Sequence, residues 1–85
     1  MIIDDDANIR ELIGNIIKDN FDDIVISGYG EDLVNGTQVI NKYKPDLIFL
    51  DIDLPDGTGF DILEHTEPDY SKVIFITAHN EFAVK

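Results

Sequence analysis

The sequence predicts an α/β fold: a small parallel sheet with helices packed on both of its faces. Two observations carry that prediction. Short, almost wholly apolar runs alternate with segments of helical periodicity, the pattern of right-handed strand–helix–strand crossovers. Three of those runs also end in acidic or hydroxyl residues: Ile2-Ile3 leads into Asp4-Asp5, Leu47-Ile48-Phe49-Leu50 into Asp51, and Val73-Ile74-Phe75-Ile76 into Thr77. In a parallel sheet those ends share one edge, where open α/β sheets place their chemistry.

Met1-Ile2-Ile3 reads as the last residues of a buried strand. Asp6 then suits the N-cap of a first helix. Within that helix Ile9, Leu12, Ile13, Ile16 and Ile17 recur at i, i+3, i+4, i+7 and i+8 and make one apolar stripe. Ile24-Val25-Ile26 reads as a second strand. Gly28 and Gly30 open a loop into a second helix carrying Leu33, Val34, Val39, Ile40 and Tyr43. The Asn35-Gly36 pair blurs where that helix begins, and Pro45 ends it.

Leu47 to Leu50, bounded by breakers, is the strand buried on both faces and the centre of the sheet. Pro55, Gly57 and Gly59 build the turn after it, and Asp56 serves that turn. Thr58 is placed to cap a third helix, with Asp61 at the favourable N3 position and Phe60, Ile62 and Leu63 turned inward. Pro68 breaks the chain again. Val73 to Ile76 is a fourth buried strand, and Asn80 caps a last helix toward Lys85. Tyr29, Tyr43, Tyr70 and the phenylalanines read as core or rim, and His65 and His79 as surface. No internal repeat, low-complexity tract or linker interrupts the pattern.

Composition narrows the function classes. Eighty-five residues make one domain at most, a small one that buries roughly 60–65% of its unfolded surface. A hydrophobic fraction of 44% is that of a globular chain. Eighteen acids against six bases give a net charge of −12, which argues against this segment binding a nucleic-acid backbone. No apolar run reaches membrane-spanning length and no secretion signal opens the chain. The absence of cysteine excludes thiolate chemistry and fits a reducing cytoplasm.

The chemistry follows from charge. Two carboxylates about 4 Å apart repel by roughly 4 kcal/mol at an effective dielectric near 20. Asp4, Asp5 and Asp51 at one sheet edge therefore call for a cation. Hard oxygen ligands select Mg²⁺ or a close substitute, which takes one or two carboxylates and keeps waters for an incoming phosphate. Asp51 is then a nucleophile, a metal ligand or both, since a carboxylate beside such an ion can accept a phosphoryl group as an acyl phosphate. Thr77 is placed to hold a transferred oxygen, and the small Ala78 leaves the phosphoryl group a way in.

Three stretches, in order and at compatible spacing, carry a resemblance: Ile3-Asp4-Asp5-Asp6 with Arg10; Pro45-Asp46-Leu47-Ile48-Phe49-Leu50-Asp51-Ile52-Asp53-Leu54-Pro55-Asp56-Gly57-Thr58-Gly59; and Val73-Ile74-Phe75-Ile76-Thr77-Ala78. Over essentially its whole length the chain resembles the receiver domain of two-component response regulators. The wording around Asp51, with His79-Asn80-Glu81-Phe82-Ala83-Val84-Lys85, is most similar to receivers that precede a LytTR-type DNA-binding domain.

The resemblance implies a flavodoxin-like (CheY-like) doubly wound sheet in the order 2-1-3-4. It implies Asp51 as the phospho-accepting aspartate, served by a sensor histidine kinase, in a phosphorelay signalling module rather than a turnover enzyme. Asp4 and Asp5 become the acidic pair for Mg²⁺, with Asp5 the direct ligand. Asp53 lends its backbone carbonyl to the metal, and Thr77 is the switch hydroxyl. The family's fifth strand, last helix and lysine have no counterpart here, so residues 1–85 are expected to form an incomplete receiver without an output domain. The fourth strand is then a bare apolar edge, expected to favour self-association.

A rival resemblance belongs to another class. Leu50-Asp51-Ile52-Asp53 also looks like the first motif of haloacid-dehalogenase-type phosphatases, with Asp51 as nucleophile and Asp53 as general acid/base. That motif normally lies on a first strand, and it leaves Asp4-Asp5 unexplained. A calcium loop fails because Pro55 stands where a ligand is needed.

Overall fold

The computed structural model describes residues 1–66 and 72–76. Its elements are β1 (Ile2–Ile3), α1 (Ala7–Asn20), β2 (Tyr29–Gly30), α2 (Leu33–Tyr43), β3 (Leu47–Asp51), β4 (Asp53–Leu54), β5 (Gly57–Thr58), α3 (Gly59–Glu64) and β6 (Lys72–Ile76). β2, β1, β3 and β6 form one sheet in that order, with every pair parallel. β6 is its fourth strand in chain order, so the expected 2-1-3-4 flavodoxin-like arrangement is the observed one. Thr77, the Pro68 break, Tyr70 and the helix expected from Asn80 lie outside the described residues.

Alternation along the strands separates two faces. Ile3, Ile48 and Leu50 point to one side and form the main core with Met1, Leu54, Ile40 of α2 and Ile62 of α3. Ile2, also fully buried, points the other way, toward α1 and its buried Ile17. Among the helices, the start of α3 is the one the sequence leads one to expect. Thr58 and Asp61 form a reciprocal capping box, with the Asp61 N–H donating to Thr58 Oγ1 at 3.2 Å and the Thr58 N–H to Asp61 Oδ2 at 2.9 Å.

Several expectations are corrected. The second strand is Tyr29–Gly30 rather than Ile24-Val25-Ile26. Register explains the shift: Ile2 pairs with Tyr29, which sets Val25 opposite a position before Met1, and Val25 is 85% exposed. The α1 stripe is only partly used. Ile17 is buried and Ile9 and Ile13 are half-buried, whereas Leu12 and Ile16 face solvent. Phe60 is exposed rather than inward and leans on Phe75, ring centroids 4.9 Å apart. β6 is not buried either: Ile74 is 49% exposed and Phe75 is also exposed, because among the described residues only β3 pairs with this strand.

The Asn35-Gly36 pair lies inside α2 and does not break it. Asp32 caps the helix by accepting the Asn35 N–H at 2.7 Å. Gly36 is where the helix crosses the core, and a Cβ there would fall 2.9 Å from Ile62 Cδ1 and 3.2 Å from Ile3 Cγ2. Lys44, at a left-handed φ of 46°, ends α2 ahead of the buried Pro45. The short hairpin of β4 and β5, closed by Pro55 and Asp56, was not expected. Asp56 does more than serve that turn. Its carboxylate accepts the N–H groups of Leu33 at 2.6 Å and Val34 at 3.3 Å, capping α2 from 23 residues away.

Candidate functional site

β1 and β3 run side by side with Ile3 opposite Leu50. The next residue on each chain is an acid, Asp4 and Asp51, so two apolar strands deliver two carboxylates to one point on the sheet edge. Asp5 follows in the loop to α1. Carboxylate oxygens of Asp4, Asp5 and Asp51 lie within 4.8 Å of one another, an arrangement able to hold a metal ion. Asp53 lies next to this group: its side chain is exposed, and its N–H donates to Asp51 Oδ1 at 3.2 Å.

Asp4 is the most enclosed of the three, at 4% exposure. Its N–H donates to the Gly30 carbonyl at 3.0 Å and its Oδ1 accepts the Asp6 N–H at 2.9 Å. Asp6 also caps α1, as expected, by accepting the Asn8 N–H at 2.8 Å. The cap thereby fixes the loop that carries Asp5. Behind Asp51, Gly59 comes so near the strand that a Cβ on it would meet the Asp51 carbonyl oxygen at 2.5 Å. Only glycine fits there.

The charges strain one another. Burial, opposed in part by the Asp53 N–H and reinforced by the negative charges of Asp4, Asp5 and Asp53, pushes Asp51 up to about 6. Asp4 is also raised, chiefly by burial, with Asp5 and Asp6 adding to it. A cation would relieve both groups, and the all-oxygen donor set suits a hard ion such as Mg²⁺. At neutral pH Asp51 is mostly ionised and able to act as a nucleophile.

The structure thus brings together Asp4, Asp5 and Asp51 of the residues expected to carry function, with Asp53 attached through its backbone. Thr77 lies outside the described residues. Arg10 stands in the first motif, where the sequence pattern assigns it no role. Its guanidinium Nη1 donates to the Asp4 carbonyl at 2.6 Å, and no local pattern announces a bond across six residues.

The family model described as the response regulator receiver domain matches residues 1–85. This chain belongs to the response regulator receiver family. The receiver is 37% identical over its whole length to an uncharacterized response regulatory protein of Shewanella oneidensis, covering 36% of that protein. It is 31% identical to the transcriptional regulatory protein BtsR of Escherichia coli, again over 36% of the relative. The chain thus spans about a third of the curated relatives it matches.

Solved structures agree on the fold of the receiver. The response regulator domain of Thermotoga maritima CheB superposes with a TM-score of 0.80 at 25% identity, over 91% of this chain and 57% of that one. The MaeR response regulator bound to beryllium trifluoride gives 0.80 at 28% identity, over 95% and 67%. The phosphatase alternative loses ground here, since Asp51 ends the third strand in chain order and the matched family is the receiver. Among the described residues no helix is long and apolar enough to cross a membrane.

Proposed function

We propose that this receiver accepts a phosphoryl group on Asp51 from a phosphohistidine of a sensor kinase. The observation that carries the reading is the meeting of Asp4, Asp5 and Asp51 carboxylates within 4.8 Å at the end of the central parallel strands. Asp4, Asp5, Asp51 and the backbone carbonyl of Asp53 are the groups that would hold Mg²⁺. When bound, that ion neutralises negative charge developing on the phosphoryl oxygens. An ionised Asp51 oxygen attacks phosphorus, the P–N bond breaks, and its electron pair returns to the imidazole. The product is a mixed anhydride on Asp51. In this reading Thr77 supplies the switch hydroxyl that meets the new phosphoryl group.

At the finer level we place the receiver in the cytoplasm, as a signalling module of the LytTR-type group that does not itself bind nucleic acid. The wording around Asp51 supports that grouping, as do relatives described as transcriptional regulators. The exposed Ile74 and Phe75 on β6 support self-association through this edge. A sedimentation coefficient that rises with concentration, and no longer does in Ile74→Lys, is the expected result.

The function is tested by incubating the chain with a small phosphodonor and Mg²⁺ and weighing the intact protein. Wild type gains a phosphoryl group, whereas Asp51→Asn and metal-free wild type do not. An adduct on Asp51→Asn removes the assignment.

A further inference from the structure

We propose that Arg10 is a positioning residue for the acidic site, its guanidinium holding Asp4 where the Asp4 carboxylate can reach a cation. The inference rests on the reading of Asp4, Asp5 and Asp51 as metal ligands. Three bonds fix Asp4, and each comes from a different part of the fold. β2 holds its amide through the Gly30 carbonyl, the loop amide of Asp6 holds one carboxylate oxygen, and Arg10 holds its carbonyl at 2.6 Å. Neither of the first two reaches the carbonyl of the peptide plane after Asp4, and that plane leads directly to Asp5. Arg10 fixes the plane, and with it the relation between the two acids.

Arg10 is itself well anchored. Its amide donates to the Asp6 carbonyl at 3.1 Å in the first turn of α1, so one residue ties the helix start to the strand end. The side chain is half-buried, which adds strength to a charged donor on a carbonyl. Electrostatics alone argues against a cation at this place, because a guanidinium beside the pocket repels a divalent ion. Repulsion and positioning therefore predict opposite signs. Deleting the charge tightens metal binding if Arg10 is only a neighbour, and loosens it if Arg10 holds Asp4.

The test is calorimetric titration of Mg²⁺ into wild type, Asp51→Asn and Arg10→Met, each with its circular dichroism spectrum and melting temperature. Arg10→Met is expected to bind Mg²⁺ about tenfold or more weakly, the usual effect of removing a group that orients a ligand. Folded Arg10→Met that binds as tightly as wild type, or more tightly, overturns the proposal even where its melting temperature has dropped. Wild type that binds no Mg²⁺ overturns the metal reading and this inference together.

Should Arg10→Met fail to fold, wild type alone decides. Arg10 is the sole arginine, so its guanidinium nitrogen–proton signals need no assignment. Slow solvent exchange and a shift on adding Mg²⁺ support the proposal, whereas rapidly exchanging signals indifferent to Mg²⁺ overturn it.

Discussion

Leu50 and Asp51 are neighbours on one strand and belong to opposite regimes. Leu50 is fully buried in the apolar core with Ile3, Ile48 and Ile62. One residue on, Asp51 enters a rim where three carboxylates crowd together and burial lifts its pKa to about 6. The core stabilises this small fold and the rim strains it. A parallel sheet can hold such opposites 3.3 Å apart along a strand, because the core lies between the layers while the strand ends open onto solvent.

The sharpest way to break the comparison is to remove a side chain from the core side. Leu50→Ala deletes a fully buried side chain and is expected to lower stability by about 2–5 kcal/mol. For a domain of this size that is a large share of the total. Denaturant unfolding checks it, with Ile16→Ala on the exposed side of α1 as the control, expected within about 0.5 kcal/mol of wild type. Equal losses at the two positions would mean that the core is not concentrated where the structure places it.

How much of each region the sequence revealed differs for a physical reason. The core strand Leu47–Asp51 and the α3 capping box are written in contiguous residues, so both were legible. β2 was not, because its position depends on register with β1, and register is a property of two segments. The Asp56 cap on α2 and the Arg10 bond to Asp4 join residues 23 and six apart, and no periodicity encodes them. At the rim the meeting of Asp4, Asp5 and Asp51 was readable from strand-end acids alone. The bonds that hold those acids in place were not.

The rim is tested by changing its charge. Asp51→Asn removes a carboxylate that burial and its neighbours disfavour, so the metal-free protein should gain stability, by about 1 kcal/mol once solvent screening is allowed for. The same variant should lose phosphorylation entirely. A gain in stability with loss of function is the pattern expected of a strained site, and a loss in both would move Asp51 into the supporting structure.

Titration reads the same strain without mutation. Asp51 is raised from an ordinary 3.8 to about 6, and Asp4 is raised too. Between those limits the folded chain keeps protons that the unfolded chain has released. Stability without metal should therefore be fully supported by these groups below about pH 4 and decline as pH rises through about 6. Unfolding midpoints across that range in a chelating buffer check the sign. Saturating Mg²⁺ should flatten or reverse the decline, since an ion bound only by the folded state stabilises it at the pH where the carboxylates are charged.

A local effect, confined to stability, lies between the two regimes, at Asp56. Its carboxylate ties the loop after Asp51 to the first turn of α2, whose Ile40 belongs to the core. Asp56→Ala should cost about 1 kcal/mol, the usual effect of losing a helix cap, while Asp32 keeps its own bond to Asn35. Phosphorylation of Asp51 should continue in this variant, because Asp56 is not among the carboxylates gathered at the rim. If Asp56→Ala instead slows phosphorylation while leaving the unfolding midpoint unchanged, the hairpin of β4 and β5 positions the rim rather than steadying α2, and the boundary drawn between core and rim must move to include it.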